Sequence, residues 1–408
     1  MIVAGEASGD KHGASLAKAL KRLNPQIKYQ MFGSGGEEMR AAGVETLVDA
    51  RDVGIIGVLE IARAMGKLYR AYRTLISAAR SKRPSAIVLI DWPDFNMRLA
   101  KRLHSEGFKV IYYISPQVWA WRKYRIRALR RDIDQMLVIL PFEEEFYKRA
   151  GLEVRFVGHP LAEAVRTTVS REDFCRGHGL DPARPIMALM PGSRHKEIYY
   201  HLPVMLDAAN RLRLWSCGLR NQSAESRVSN QQSAIRNPQF VIPLASTVRP
   251  EDVAAAIGEA QRATNNQGET DRLSVTVVEG ETYNVLGHSE FAVVASGTAT
   301  VEAALSGTPM IIIYRGSDLN WRLIRPLIHL DTFGMVNLIA GRRVVPELMQ
   351  RDATGEKIAA EVSAVLSDPA RLGRMKQDLQ RVREVLAAGG GSAADRAARS
   401  LMEAIEER

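Results

Sequence analysis

The feature that most constrains this chain is an alternation. Short runs rich in Val and Ile recur at 1–4, 28–32, 86–90, 109–114, 135–139 and 154–157, then at 186–190, 239–243, 274–278, 291–294 and 309–313. Each is too short for a helix, and amphipathic stretches of helix length lie between most of them. Repeated β-α alternation predicts parallel sheets covered by helices on both faces. The two series are separated by Gly158-His159-Pro160. They predict two doubly wound, Rossmann-like α/β domains facing a cleft, over 1–165 and 166–350, followed by C-terminal helices over 351–408. The length of 408 residues agrees with two domains at about 100–200 residues each.

Several segments fall outside this rhythm. Only four residues precede Gly5, which is short for a parallel strand and suggests that the natural start lies a little upstream. Residues 216–237 are rich in Asn, Gln, Ser and Arg without an apolar period, and read as a mobile surface insertion. The tail predicts helices at about 354–367, 369–386 and 393–407, broken by Gly389-Gly390-Gly391, with Ser392 capping the last.

Composition narrows the functional classes. Lys plus Arg number 56 against 46 Asp plus Glu, a net charge of +10 that favours anionic partners. No recognised nucleic-acid motif accompanies that charge. Two cysteines, Cys175 and Cys217, build neither a disulfide framework nor a metal cluster, and the eight histidines show no ligand spacing. No apolar run approaches the roughly 18 residues of a membrane span, and no signal peptide opens the chain.

The chemistry is expected where strands end. Gly5-Glu6-Ala7-Ser8-Gly9-Asp10 follows the first strand, and its small residues allow a ligand close to the backbone; a tight turn is an equally ready reading. Asp91-Trp92-Pro93-Asp94-Phe95-Asn96 follows the strand at 86–90. Asp91 is placed to act as a general base, while Asp94 and Asn96 could instead cap the next helix. Ser115 to Arg122 carries Trp119 and Trp121, which read either as a sugar or acyl-chain platform or as a plug between helices. Lys123, Arg125, Arg127, Arg130 and Arg131 follow as a charge run. Pro191-Gly192-Ser193-Arg194 and Ser296-Gly297-Thr298 each lead from a strand into a helix, where anions are attracted. Glu302, one helical turn beyond Thr298, can reach a ribose diol. The pattern Gly-x-Gly-x-x-Gly is absent, which argues against a nicotinamide-dependent oxidoreductase. Residues 54–80 interleave apolar and basic side chains, as a membrane-surface or acyl-binding helix would, or simply an amphipathic core helix.

Taken in order, Ala4 to Asp10, Asp91 to Asn96, Ser115 to Arg122, Leu140-Pro141-Phe142-Glu143, Gly158-His159, Pro191 to Arg194, Ser296 to Ala299 and Asn337 to Gly341 resemble the lipid-A-disaccharide synthases over nearly the whole chain. Val336 departs from the Pro usual in that family. The resemblance implies a GT-B glycosyltransferase of lipid A and lipopolysaccharide biosynthesis, with the active site between its domains. It would transfer 2,3-diacylglucosamine from UDP to the 6-hydroxyl of 2,3-diacylglucosamine 1-phosphate (lipid X), with inversion and without a metal or other cofactor. It implies Asp91 as base and Arg194 as the cation on the leaving group. Ser193, Glu279, Tyr283, Ser296, Gly297, Thr298, Glu302 and Asn337 would serve the UDP donor. Glu6, Ser8, Asp94, Asn96, Trp119, Trp121 and Arg122 would lie on the acceptor or acyl side. The protein is expected in the cytoplasm, peripheral on the cytoplasmic face of the inner membrane through anionic lipid, with no nucleic-acid partner; the resemblance also allows a homodimer. A UDP-sugar epimerase of the same architecture is the nearest alternative.

Overall fold

The computed structural model describes residues 1–53, 61–120, 123–216, 237–245, 247–265, 273–318, 321–322 and 332–406. The insertion expected at 216–237 therefore lies, but for its two end residues, outside the described residues. The chain divides into two compact units: Met1–Ala162 with Val385–Arg408, and Glu163–Glu384.

The first unit is built on seven parallel strands: β1 (Ile2–Ala4), β2 (Phe32–Gly35), β3 (Glu45–Asp49), β4 (Ile87–Ile90), β5 (Val110–Tyr113), β6 (Gln135–Val138) and β7 (Val154–Phe156). Their order across the sheet is β3-β2-β1-β4-β5-β6-β7. Successive residues of a strand point to opposite faces, and the cores divide accordingly. Val3, Ile87, Leu89, Val110 and Tyr112 pack with Leu75 of the helix Ile61–Lys82 and Leu99 of the helix Pro93–His104. Ile2, Ala4, Val88, Ile90, Ile111 and Tyr113 face the other way, onto Leu16 and Leu20 of the helix Ala7–Leu23. The last helix, Ala393–Glu406, joins that second face through Ala397 and Leu401, and Ser392 caps it by accepting the Asp395 N–H at 2.9 Å.

The second unit has six parallel strands: β8 (Ile186–Met190), β9 (Gln239–Leu244), β10 (Val275–Glu279), β11 (Phe291–Ala295), β12 (Met310–Tyr314) and β13 (Glu347–Met349). Their order is β10-β9-β8-β11-β12-β13. Of the tail helices, Gly355–Leu366 packs here, against the helix His195–Ser216.

Both sheets reverse direction once, between β1 and β4 and between β8 and β11. Loops at the carboxyl ends of such strands diverge and leave a crevice, which is where open α/β sheets bind ligands. The two reversal points carry the loops that begin at Gly5 and Asp91 in one unit, and at Pro191 and Ser296 in the other.

The strand expected at 28–32 lies instead at Phe32–Gly35. Gly33-Ser34-Gly35 continues the sheet, although glycine normally weakens a strand. A Cβ on Gly33 would fall 1.8 Å from the Ile2 carbonyl oxygen, so close backbone approach demands glycine there. Strands β3 and β13 had no apolar run to mark them; both are edge strands with no fully buried residue.

Candidate functional site

At the end of β4 the backbone turns through two successive non-glycine residues in the left-handed region, Asp91 at φ 45° and Trp92 at φ 51°. Such conformations cost of order 1–3 kcal/mol each and persist only where the surroundings impose them. Here the fully buried Asn96 donates its Nδ2 to the carbonyls of Asp91 at 2.7 Å and Ile90 at 3.2 Å. The Tyr112 hydroxyl donates to the same Asp91 carbonyl at 2.7 Å. The Trp92 indole stacks on Phe95, with centroids 3.9 Å apart and planes 9° from parallel. It also packs against Gly5, where a Cβ would fall 2.1 Å from the ring. The first loop must therefore carry glycine for the second to hold its turn. The product of this bracing is a half-buried Asp91 carboxyl whose pKa is raised, first by burial and then by the charge of Glu6.

A pocket of about 1000 Å³ opens beside this turn. Leu68, Tyr69, Tyr72 and Met65 line it from the helix Ile61–Lys82, and Trp92 and Phe95 from the Asp91 loop and the helix after it. Met65 is 52% exposed and Tyr69 61%, while Leu75 and Ile76 farther along the same helix are buried in the core. The helix is thus both a core helix and an exposed apolar edge; residues 54–60 of the expected stretch lie outside the described residues.

Other expected residues of this unit are placed differently. Glu6 and Ser8 are exposed on the first loop. Asp94 is exposed and ion-paired with Arg125. Asn96 was read as an acceptor contact or a cap; it is fully buried, and its amide braces the Asp91 turn instead. Trp119 is 6% exposed, with its indole N–H donating to Glu143 at 3.0 Å and its ring edge-on to Phe142, so it is a plug rather than a platform. Trp121 and Arg122 lie outside the described residues.

Two features escaped sequence reasoning. Glu143 is buried, accepts hydrogen bonds from Ser115 Oγ at 2.6 Å and Leu140 N at 3.2 Å as well as from Trp119, and has its pKa raised to about 7 because burial outweighs those donors. His12 and His159 are both lowered to about 4, chiefly by burial, and so are neutral imidazoles at physiological pH.

In the second unit the loop after β8 forms an anion cradle that the protein fills itself. The N–H groups of Ser193 and Arg194 donate to Glu197 Oε2 at 2.8 and 3.2 Å, and the Arg194 guanidinium reaches Oε1 at 3.0 Å. Gly192, at φ 117°, leaves room for that carboxylate, which a Cβ would meet at 2.3 Å. After β11, Gly297 precedes the helix Thr298–Ser306, whose first turn has no side-chain cap. Thr298 is exposed there, and Ser296 Oγ donates to the Phe333 carbonyl at 3.1 Å. Glu302 and Tyr283 are brought together in a hydrogen bond, and burial raises the pKa of both. Glu279 is exposed at the end of β10. Asn337 was expected at the donor; it is buried with its bonding spent within the chain, on three backbone groups and the Glu347 carboxylate. Its Nδ2 donates to Val345 O and Glu347 Oε1, and its Oδ1 accepts from Val344 N and Val345 N. Among the described residues no group of three or more His, Cys, Asp or Glu side chains gathers as a metal site, and no helix is long and apolar enough to cross a membrane.

A family model described as lipid-A-disaccharide synthetase matches residues 1–234 and 251–401. The lipid-A-disaccharide synthase of Geobacter sulfurreducens is 43% identical over 392 residues, covering 96% of this chain and 94% of that protein. The synthase of Koribacter versatilis is 42% identical over 413 residues, covering 100% and 99%. The chain belongs to the lipid-A-disaccharide synthase family. It is a glycosyltransferase, and the epimerase alternative is not favoured. Among solved structures, UDP-GlcNAc 2-epimerase from Neisseria meningitidis superposes with a TM-score of 0.59 at 10% identity, covering 100% of this chain and 99% of that one. The calicheamicin glycosyltransferase CalG4 gives 0.55 at 14%, covering 100% and 97%. These likenesses carry the GT-B class of fold and nothing finer.

Proposed function

We propose that the protein joins two acylated glucosamines. The acceptor 6-hydroxyl oxygen of lipid X attacks the anomeric carbon of UDP-2,3-diacylglucosamine. The bond from that carbon to the diphosphate breaks, its electron pair leaves with UDP, and the hydroxyl proton passes to the Asp91 carboxylate. Attack from the face opposite the α-linked diphosphate yields a β-1,6 disaccharide 1-phosphate. The observation that carries this reading is the Asp91 carboxyl itself, with raised proton affinity, held by a strained turn beside a pocket of about 1000 Å³ with an apolar wall.

Stabilisation of the leaving diphosphate falls to the second unit. The N–H groups of Ser193 and Arg194, the Arg194 guanidinium and the uncapped helix start at Gly297 and Thr298 are suited to it once Glu197 gives way. Glu302, with Tyr283 beside it, would hold the ribose, and Glu279 lies near enough in sequence to serve the uracil. The exposed Met65 and Tyr69, with basic residues on the same helix, favour peripheral attachment to the anionic cytoplasmic face of the inner membrane.

The reaction is tested by incubating purified protein with donor and acceptor, and with donor alone, and resolving products by mass spectrometry. Disaccharide and UDP in equal amounts, only when both substrates are present, are the expected result. Conversion of the donor sugar without acceptor would overturn it.

A further inference from the structure

The pocket beside Asp91 is not uniformly apolar. The helix Ile61–Lys82 contributes Met65, Leu68, Tyr69 and Tyr72 to it, whereas the helix Pro93–His104 contributes Arg98, Lys101 and Arg102. The spacing i, i+3, i+4 sets those three cations on one helix face. Arg131 adds a fourth lining cation, but it is ion-paired with Asp132, and Arg102 is paired with Glu106 at 2.7 Å. Arg98 and Lys101 are exposed and, among the described residues, have no carboxylate partner. The carboxylate of Asp94, which also lines the pocket, is held by Arg125.

An apolar wall facing surplus positive charge selects an amphipathic anion. Its volume stands at the top of the usual range for ligand pockets, about 300–1,000 Å³, so it accommodates more than a small anion. Trp92, the residue after Asp91, lines it, so the pocket opens next to the turn that carries the Asp91 carboxylate.

Resting on the synthase reading, we infer that Arg98 and Lys101 form the subsite for the acceptor's phosphomonoester, with its acyl chains against the Met65–Tyr72 wall. They then act as specificity residues, distinguishing a phosphorylated acylglucosamine from the same lipid without phosphate. The donor's diphosphate would be served by the other unit, so the two anionic groups are read by separate cations.

The test compares wild type with an Arg98→Gln/Lys101→Gln double variant on two acceptors, 2,3-diacylglucosamine 1-phosphate and the same lipid dephosphorylated. The wild type should prefer the phosphorylated acceptor, and in the variant the ratio of the two kcat/KM values should fall by at least about tenfold, the worth of one charge-assisted hydrogen bond. An unchanged ratio overturns the inference, whether both activities fall together or neither does. Sedimentation with phosphatidylglycerol vesicles separates the other source of phosphate. Lost vesicle binding with an unchanged ratio would assign these cations to the bilayer and overturn the subsite. If the wild type makes no disaccharide from either acceptor, the synthase reading fails first and takes the subsite with it.

Discussion

Replacing Glu143 by Gln should change how stability depends on pH. The wild-type carboxyl is about 1% exposed and accepts from Ser115, Trp119 and Leu140. Those donors favour the charged form, but burial opposes it more strongly and lifts the pKa from 4.5 to about 7. Between those values the folded protein holds a proton that the unfolded chain has released. The stabilisation from this group is therefore full below the unfolded pKa and is lost as pH rises through about 7. The shift sets a limit of about 3 kcal/mol, most of which is lost between about pH 5 and about pH 8. Glutamine cannot ionise and removes this dependence, though it leaves the Leu140 N–H without its acceptor and costs a constant amount. Urea unfolding of both proteins, followed through Trp fluorescence, gives the difference at each pH. The variant should gain on the wild type by about 2–3 kcal/mol across that range. Parallel curves, or a variant that loses ground as pH rises, would mean that Glu143 does not hold an extra proton in the folded protein.

Three further outcomes follow from the same geometry. Glu6→Gln removes the second cause of the raised Asp91 pKa, so the acid limb of the kcat/KM profile should move to lower pH; a fixed limb would dissociate Glu6 from Asp91. Asn96→Ala takes away both amide bonds to the Asp91 turn and should cost about 1–3 kcal/mol in unfolding free energy, with kcat falling while the donor KM holds; unaltered kcat would show that the turn keeps its shape without Asn96. Glu197→Gln weakens the internal occupant of the Ser193–Arg194 cradle and should tighten UDP binding about fivefold by titration calorimetry; equal or weaker binding would mean that the diphosphate does not use the cradle.

Much of the architecture was legible because buried parallel strands leave continuous Val and Ile runs. Where burial is partial the signal fades: Glu45–Asp49 and Glu347–Met349 are edge strands with mixed side chains, and Phe32–Gly35 gains its place from backbone approach, which apolar patterning does not encode. The candidate loops were legible for a topological reason, since they follow strands at the sheet reversals. The roles within them were less so. A polar residue in a loop reads the same whether its hydrogen bonds go to a ligand or to the chain, and Asn96 and Asn337 give theirs to the chain. Trp119 reads as a platform until its indole N–H is seen to be committed to Glu143. Glu143 itself carried one signal, a position three residues after Leu140, from which a helix-capping carboxylate can reach back.

In the proposed reaction Asp91 takes the proton from the acceptor hydroxyl. Single-turnover disaccharide formation by Asp91→Asn, with donor and lipid X both saturating, tests it most directly. The expected rate is at least about a hundredfold below wild type, with UDP binding and the unfolding transition retained. A variant that is folded, binds UDP and turns over near the wild-type rate would return Asp91 to a purely structural role.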